Sequence, residues 1–157
     1  MITAPHMLTG AAIGRTFNRW WLVVPLAFGS HFILDYIPHV ETAVLFNIGD
    51  KPLLRVSAEA VSISLAVTLT LWVVKNQPQK IAMMVGAITA TLIDLLENLP
   101  VVGHFMETSD YTSWLYSFHH GFHHSVPHSQ WPLGLATQIA VTIFAIYVCR
   151  SRKTKQL

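Results

Sequence analysis

Residues 20–38 read WWLVVPLAFGSHFILDYIP, an apolar run in which His31 and Asp35 are the only ionisable groups. A helix needs roughly 20 apolar residues to cross the hydrocarbon of a bilayer, and this run has about that length. The two ionisable residues are four apart, which puts them on one face of a helix. Such groups are costly inside a span and mark function by default, so the stretch predicts a transmembrane helix that carries part of a site.

Working outward, three further stretches have the same character. Residues 56–74 contain one acid, Glu59; residues 81–99 contain Asp94 and Glu97; residues 131–149 contain no charge. A fifth, residues 3–17, is shorter and rich in Gly and Ala and is read as a thin span. The 157-residue chain is therefore predicted to be all-α, an integral membrane bundle of about four to five transmembrane helices forming one domain over 1–157, with a His-rich outer loop at 100–130. Composition agrees: 52% of residues are apolar and 11% charged, against about 25% charged in soluble domains. A net charge of +2 gives no polybasic surface for nucleic acid, and the single cysteine, Cys149, excludes a disulfide framework or a Cys-rich zinc module.

Orientation follows from the basic residues, which concentrate in short cytoplasmic loops. Arg15, Arg19, Lys75, Lys80, Arg150, Arg152, Lys153 and Lys155 fall on one side of the predicted spans, and only Lys51 and Arg55 on the other. This predicts a prokaryotic inner-membrane protein with its N-terminus outside and its C-terminus in the cytoplasm.

On that map all nine histidines gather at the outer end. His6 opens the first helix. His31, Asp35 and His39 are spaced by four along the second and its exit, with Pro38 ending or bending the helix before His39. Asp94 and Glu97 share a face of the fourth, and His119, His120, His123 and His124 supply four imidazoles in six residues around Gly121, whose freedom is expected to turn them inward. A mixed imidazole and carboxylate set suits a divalent metal, zinc first and manganese or iron as alternatives, and there are more candidates than one tetrahedral shell needs. The predicted ligands are His6, His31, Asp35, His39, Asp94, His119, His120, His123 and His124. Glu97, Glu59 and Asp94 are the candidate catalytic carboxylates, with Glu59 and Glu97 equally readable as groups that orient an imidazole. His104 and His128 read as bystanders. Trp20, Trp21, Trp114, Trp131, Tyr36, Tyr111 and Tyr116 fit interfacial aromatic belts.

The opening Pro5-His6-Met7-Leu8-Thr9-Gly10, the segment from Ser30 to His39, and the later His-rich segment ending His124-Ser125 together resemble the small bacterial and archaeal membrane-bound metal-dependent hydrolases, the LexA-regulated inner-membrane type included. The resemblance covers most of the chain in order and spacing. It implies a helical membrane protein with His6, His31, Asp35 and the 119–124 region at a metal site. The family often has an Asp-x-Asp pair before its histidine segment, where this chain has Asp94 and Glu97 at a different spacing. A site at headgroup level would face lipids or lipid-linked intermediates, so the expected substrate is an ester or phosphoester of that kind. Two rival readings use the same residues. His120-x-x-His123-His124 matches the HxxHH box of membrane di-iron hydroxylases and desaturases, although those carry three boxes on the cytoplasmic side. A non-catalytic metal-binding or metal-transporting membrane module is the other.

Overall fold

The computed structural model describes residues 2–151. Among them the regular structure is helical, apart from one isolated parallel bridge between His39 and Ser125. The elements are α1 (Thr3–Phe17), α2 (Trp20–Tyr36), α3 (Thr42–Leu45), α4 (Pro52–Val74), α5 (Lys80–Ala90), α6 (Leu92–Glu97), α7 (Pro100–Thr108), α8 (Ser113–Phe122), a 3-10 turn (His128–Gln130) and α9 (Trp131–Arg150).

Local chemistry sets the ends. Asn18 adopts the left-handed conformation after α1 (φ 51°) and its N–H bonds to the Gly14 carbonyl, a left-handed helix stop. Ile37 is extended (ψ 133°) because the ring of Pro38 disfavours helical backbone at the residue before it, so α2 stops at Tyr36. Proline in the first turn opens α4, α7 and α9, where a missing N–H costs nothing.

Two sequence expectations are corrected. Residues 81–99 are not one helix: α5 ends at Ala90, Thr91 leaves helical geometry (φ −113°, ψ 4°), and α6 starts anew. The Thr91 hydroxyl donates to the carbonyls of Ala87 and Ile88, both at 3.2 Å, a local bond that competes with helix continuation. Residues 100–130 are not a loop, since α7 and α8 form a short helical pair there; nine- and ten-residue helices give too few turns for periodicity to stand out. As a result two helical segments, Pro52–Val74 and His128–Arg150, are long and apolar enough to cross a membrane, fewer than the four to five expected. α1 and α2, at 15 and 17 residues, are shorter.

α1 is the central helix and packs on α2, α4, α5 and α9. Its contact with α5 is backbone on backbone. A Cβ added to Gly10 would lie 2.1 Å from the Gly86 carbonyl oxygen, and one added to Gly86 would lie 2.1 Å from that of Gly10. Leu8, Ala11, Ala66, Met83 and Ala87 fill the core around this crossing, and a smaller core of Phe32, Ile93 and Met106 sits under the α7–α8 pair. The outward faces of α4 and α9 stay apolar and exposed, including Leu53, Val61, Leu65, Ile143 and Phe144. At the end of α1 remote from His6, the Arg15 guanidinium donates to the Gln79 side chain and to the Ser151 carbonyl, and Arg150 stacks 4.3 Å over the Trp72 ring. Arg15 and Arg150 thus lie at the end opposite His6.

The glycine crossing gives a direct test. Gly10→Val should destabilise the fold by about 1–3 kcal/mol or more, as overpacking against an unyielding backbone does. Gly29, with open space where a Cβ would go, should tolerate Ala with no loss or a gain of about 0.5–1 kcal/mol. Thermal unfolding of the two variants in detergent checks the contrast.

Candidate metal centre

Three helices deliver four polar side chains to one buried point. α2 contributes His31 and Asp35 on its inner face, α6 contributes Asp94 and α8 contributes His119. His31, Asp35 and His119 are essentially inaccessible, while the Asp94 side chain is 30% exposed and forms the open side. The His31 Nε2 atom is 3.0 Å from His119 Nε2 and 3.0 Å from Asp35 Oδ2, and His119 Nε2 is 3.2 Å from that same oxygen. Asp94 Oδ1 lies 3.5 Å from both imidazole nitrogens. In a tetrahedral site with ligands about 2.0–2.1 Å from the ion, neighbouring donors stand about 3.3 Å apart, so these separations are those of one coordination shell.

The imidazoles are also set in the ligating state. His31 Nδ1 donates to the carbonyl of Ala90 at 2.8 Å, and His119 Nδ1 donates to Glu97 Oε1 at 2.8 Å. Each ring therefore turns its Nε2 inward, and a neutral ring carries a lone pair there. Ala90 is available because α5 ends on it, which leaves its carbonyl among those without an intrahelical donor. The break at Thr91 thus has a chemical use. Carbonyl and carboxylate partners on the far nitrogen are the usual device for orienting metal-binding histidines. Two carboxylates with two neutral imidazoles carry the charge one divalent cation balances. These buried His and Asp groups can hold a metal ion.

Around this core the other predicted residues divide. His6 is fully buried, its ring stacked 4.3 Å from that of His31, with Nε2 3.2 Å from Asp35 Oδ1. His123, one turn after His119, has Nε2 3.2 Å from both Asp35 Oδ2 and His119 Nε2. His39 is buried, donates from Nδ1 to the Ile37 carbonyl at 2.9 Å, and groups with Asp35 and His123. Burial pushes its pKa down to about 4, which keeps the ring neutral at pH 7. For His119 burial also opposes charge, but the Asp35 and Glu97 carboxylates beside it outweigh this and raise its pKa. His120 is 52% exposed and faces Glu97 Oε2 at 3.4 Å.

Four expectations change. Glu59 is exposed on α4 and belongs to none of the donor groups. Glu97 contacts imidazoles, the orienting alternative of its two readings. His124 is exposed and its main chain does the binding: its N–H bonds to the Asp35 carbonyl at 2.9 Å and its carbonyl accepts from the His39 N–H at 3.2 Å. Gly121 lies within α8, and the turn falls at His123 (ψ 108°) instead. The HxxHH box is consequently not presented as a unit, because the inward pair is His119 and His123. Their spacing of four repeats that of His31 and Asp35 and is the signal sequence reading passed over. His104 and His128 are exposed, the latter donating to the Val44 carbonyl, as bystanders would. The carbonyls of Ala90 and Ile37 were missed, since main-chain partners leave no trace in residue identity.

No family model, curated protein or solved structure matches this chain.

Single substitutions should sort these roles. His31→Ala and Asp35→Ala should each strip bound metal from purified protein, whereas His104→Ala and His124→Ala should leave it unchanged by elemental analysis. Glu97→Gln should retain the site but weaken affinity by about 10–100-fold, the usual cost of removing an orienting partner. Metal should also leave as pH falls, because protons compete for the same lone pairs, His119 taking one most readily since the Asp35 and Glu97 carboxylates raise its pKa. Retention unchanged down to pH 4 would argue against imidazole ligation.

Proposed function

We propose that this chain is a membrane-embedded metal-dependent hydrolase that acts on a lipid or lipid-linked ester or phosphoester at the membrane interface. The observation that carries the reading is the convergence of His31, Asp35, Asp94 and His119 at tetrahedral spacing, closed on three sides and open at Asp94. The resemblance of the Pro5–Gly10, Ser30–His39 and 119–125 segments to membrane-bound metal-dependent hydrolases supports it. Membrane placement is supported by α4 and α9, whose apolar windows are only 17% and 22% buried. The core helix of a soluble protein hides such residues, and contiguous exposed apolar surface of this extent calls for lipid. The inner-membrane location, with the histidine end outside, rests on the separation of basic residues from histidines.

A divalent cation at the site, zinc first, supplies Lewis acidity that polarises the bond to be cleaved and acidifies an adjacent water. The chain's own groups complete the chemistry. His31, Asp35 and His119 would hold the ion, and Asp94, on the open side 3.5 Å from both imidazole nitrogens, would take the proton of the water whose oxygen attacks carbon or phosphorus. The bond to the leaving oxygen breaks, and that oxygen takes a proton from His120, which is exposed and held by Glu97. Glu97 and the Ala90 carbonyl keep His119 and His31 aimed inward, and burial of His6 and Asp35 excludes bulk water from the far side.

The oxygenase alternative needs its box to act together, and the outward His124 and the Glu97-bound His120 count against it. Zinc- or manganese-loaded protein should therefore cleave phospholipids in mixed micelles anaerobically and without reductant. Mass spectrometry should show release of a headgroup, phosphate or fatty acid, lowered at least 100-fold in His31→Ala. Product formation only with iron, oxygen and an electron donor would overturn the hydrolase reading.

A further inference from the structure

From the same cluster we propose a second cation position, held by His6, His39 and His123, with Asp35 bridging it to the first. This rests on the metal-centre reading above and extends it from one ion to two. Asp35 turns its two oxygens toward different imidazoles: Oδ2 faces His31, His119 and His123 within 3.2 Å, while Oδ1 faces His6 Nε2 at 3.2 Å. A carboxylate so flanked has the geometry of a bridge. Donor atoms of Asp35, His39 and His123 all fall within 4.8 Å of one another, a second group that shares Asp35 with that of His31, Asp94 and His119 and abuts it where His123 Nε2 lies 3.2 Å from His119 Nε2.

Independent support comes from the buried nitrogens. Nε2 of the buried His39 and Nδ1 of the fully buried His6 have no hydrogen-bond partner, and His6 Nε2 meets the Asp35 carboxylate. Leaving such a group unsatisfied away from water costs about 1–3 kcal/mol, so the His39 Nε2 lone pair beside Asp35 and His123 calls for a ligand. The His39 Nδ1 atom already donates to the Ile37 carbonyl, which leaves its Nε2 as an acceptor, the correct state for a metal and the wrong one for an anion. The His39 ring stands 5.4 Å from that of His123, centroid to centroid, so the two share one locus. Three imidazoles and a shared carboxylate select a divalent ion of borderline softness such as zinc over calcium or magnesium, and manganese serves as its paramagnetic substitute. In paired centres bridged this way the ions sit about 3.5–4 Å apart, close enough for their spins to couple.

Full-length protein in detergent, stripped with chelator and reloaded with zinc or manganese, tests this without any substrate. Elemental analysis should give two ions per chain in the wild type and one in His6→Ala and in His39→Ala. Manganese-loaded wild type should show an exchange-coupled electron paramagnetic resonance spectrum, and both variants the six-line spectrum of an isolated ion. One ion in the wild type, unchanged in His39→Ala, overturns the second position and leaves the first. No ion in the wild type overturns both. Two uncoupled ions overturn the Asp35 bridge. Circular dichroism monitors helix content, and if His39→Ala loses it, His39→Gln removes the imidazole while keeping volume, with the same outcomes applied.

Discussion

Two neutral imidazoles that point lone pairs at one another from 3.0 Å repel, and His31 and His119 stand in that relation once their far nitrogens are committed as donors. Only positive charge placed among them reconciles the arrangement, and Asp35 and Asp94 crowd further negative charge onto the same point. Two protons spread over the cluster would supply that charge loosely. One divalent ion supplies it at the donor spacing observed. Much of the fold can be understood as the apparatus that holds these mutually repelling groups in place.

That apparatus is distributed along the chain. Contact of α1 with α5 at Gly10 and Gly86 fixes the height of His6 against His31. Termination of α5 at Ala90 provides the carbonyl that orients His31, and the restart as α6 brings Asp94 and Glu97 to His119 from another direction. The exit of α2 is laced by main-chain bonds from the 124–126 strand segment to Asp35 and His39. It is also tied to α9, where Thr137 Oγ1 donates to the Pro38 carbonyl at 2.6 Å and Gln138 to that of Val40 at 2.7 Å.

Much of this was legible beforehand for a physical reason. Apolar runs set the positions of α1, α2, α4 and α9, because burial in core or lipid demands them, and Pro38 and Asn18 mark stops that steric rules dictate. The spacing of His31 and Asp35 put them on one face, as found. What sequence could not convey lies in the backbone. Nothing in Ile81 to Leu99 distinguishes a continuous helix from one interrupted at Thr91, since threonine is tolerated in both. The short amphipathic α7 and α8 hid within a polar stretch. Among the histidines, counting residues favoured the dense 119–124 run as a block, whereas helical geometry turns His119 and His123 inward, leaves His120 at the exposed edge grouped with Glu97 and His119, and sends His124 to the surface.

The brevity of α1 and α2 has a mechanical consequence. At 15 and 17 residues they extend about 22 and 26 Å, against roughly 30 Å for the hydrocarbon of an ordinary bilayer. In the membrane placement proposed above, longer neighbours such as α4 would reach across, so a bilayer around this molecule would meet walls of unequal height. Lipids beside α2 would compress to match it, at fractions of a kcal/mol per ångström of mismatch. Such a dimple would draw the headgroup plane toward the end of α2 where Asp35 lies, with the opening of α1 at His6 beside it. Membrane thickness would then set how deep the cluster stands below the surface.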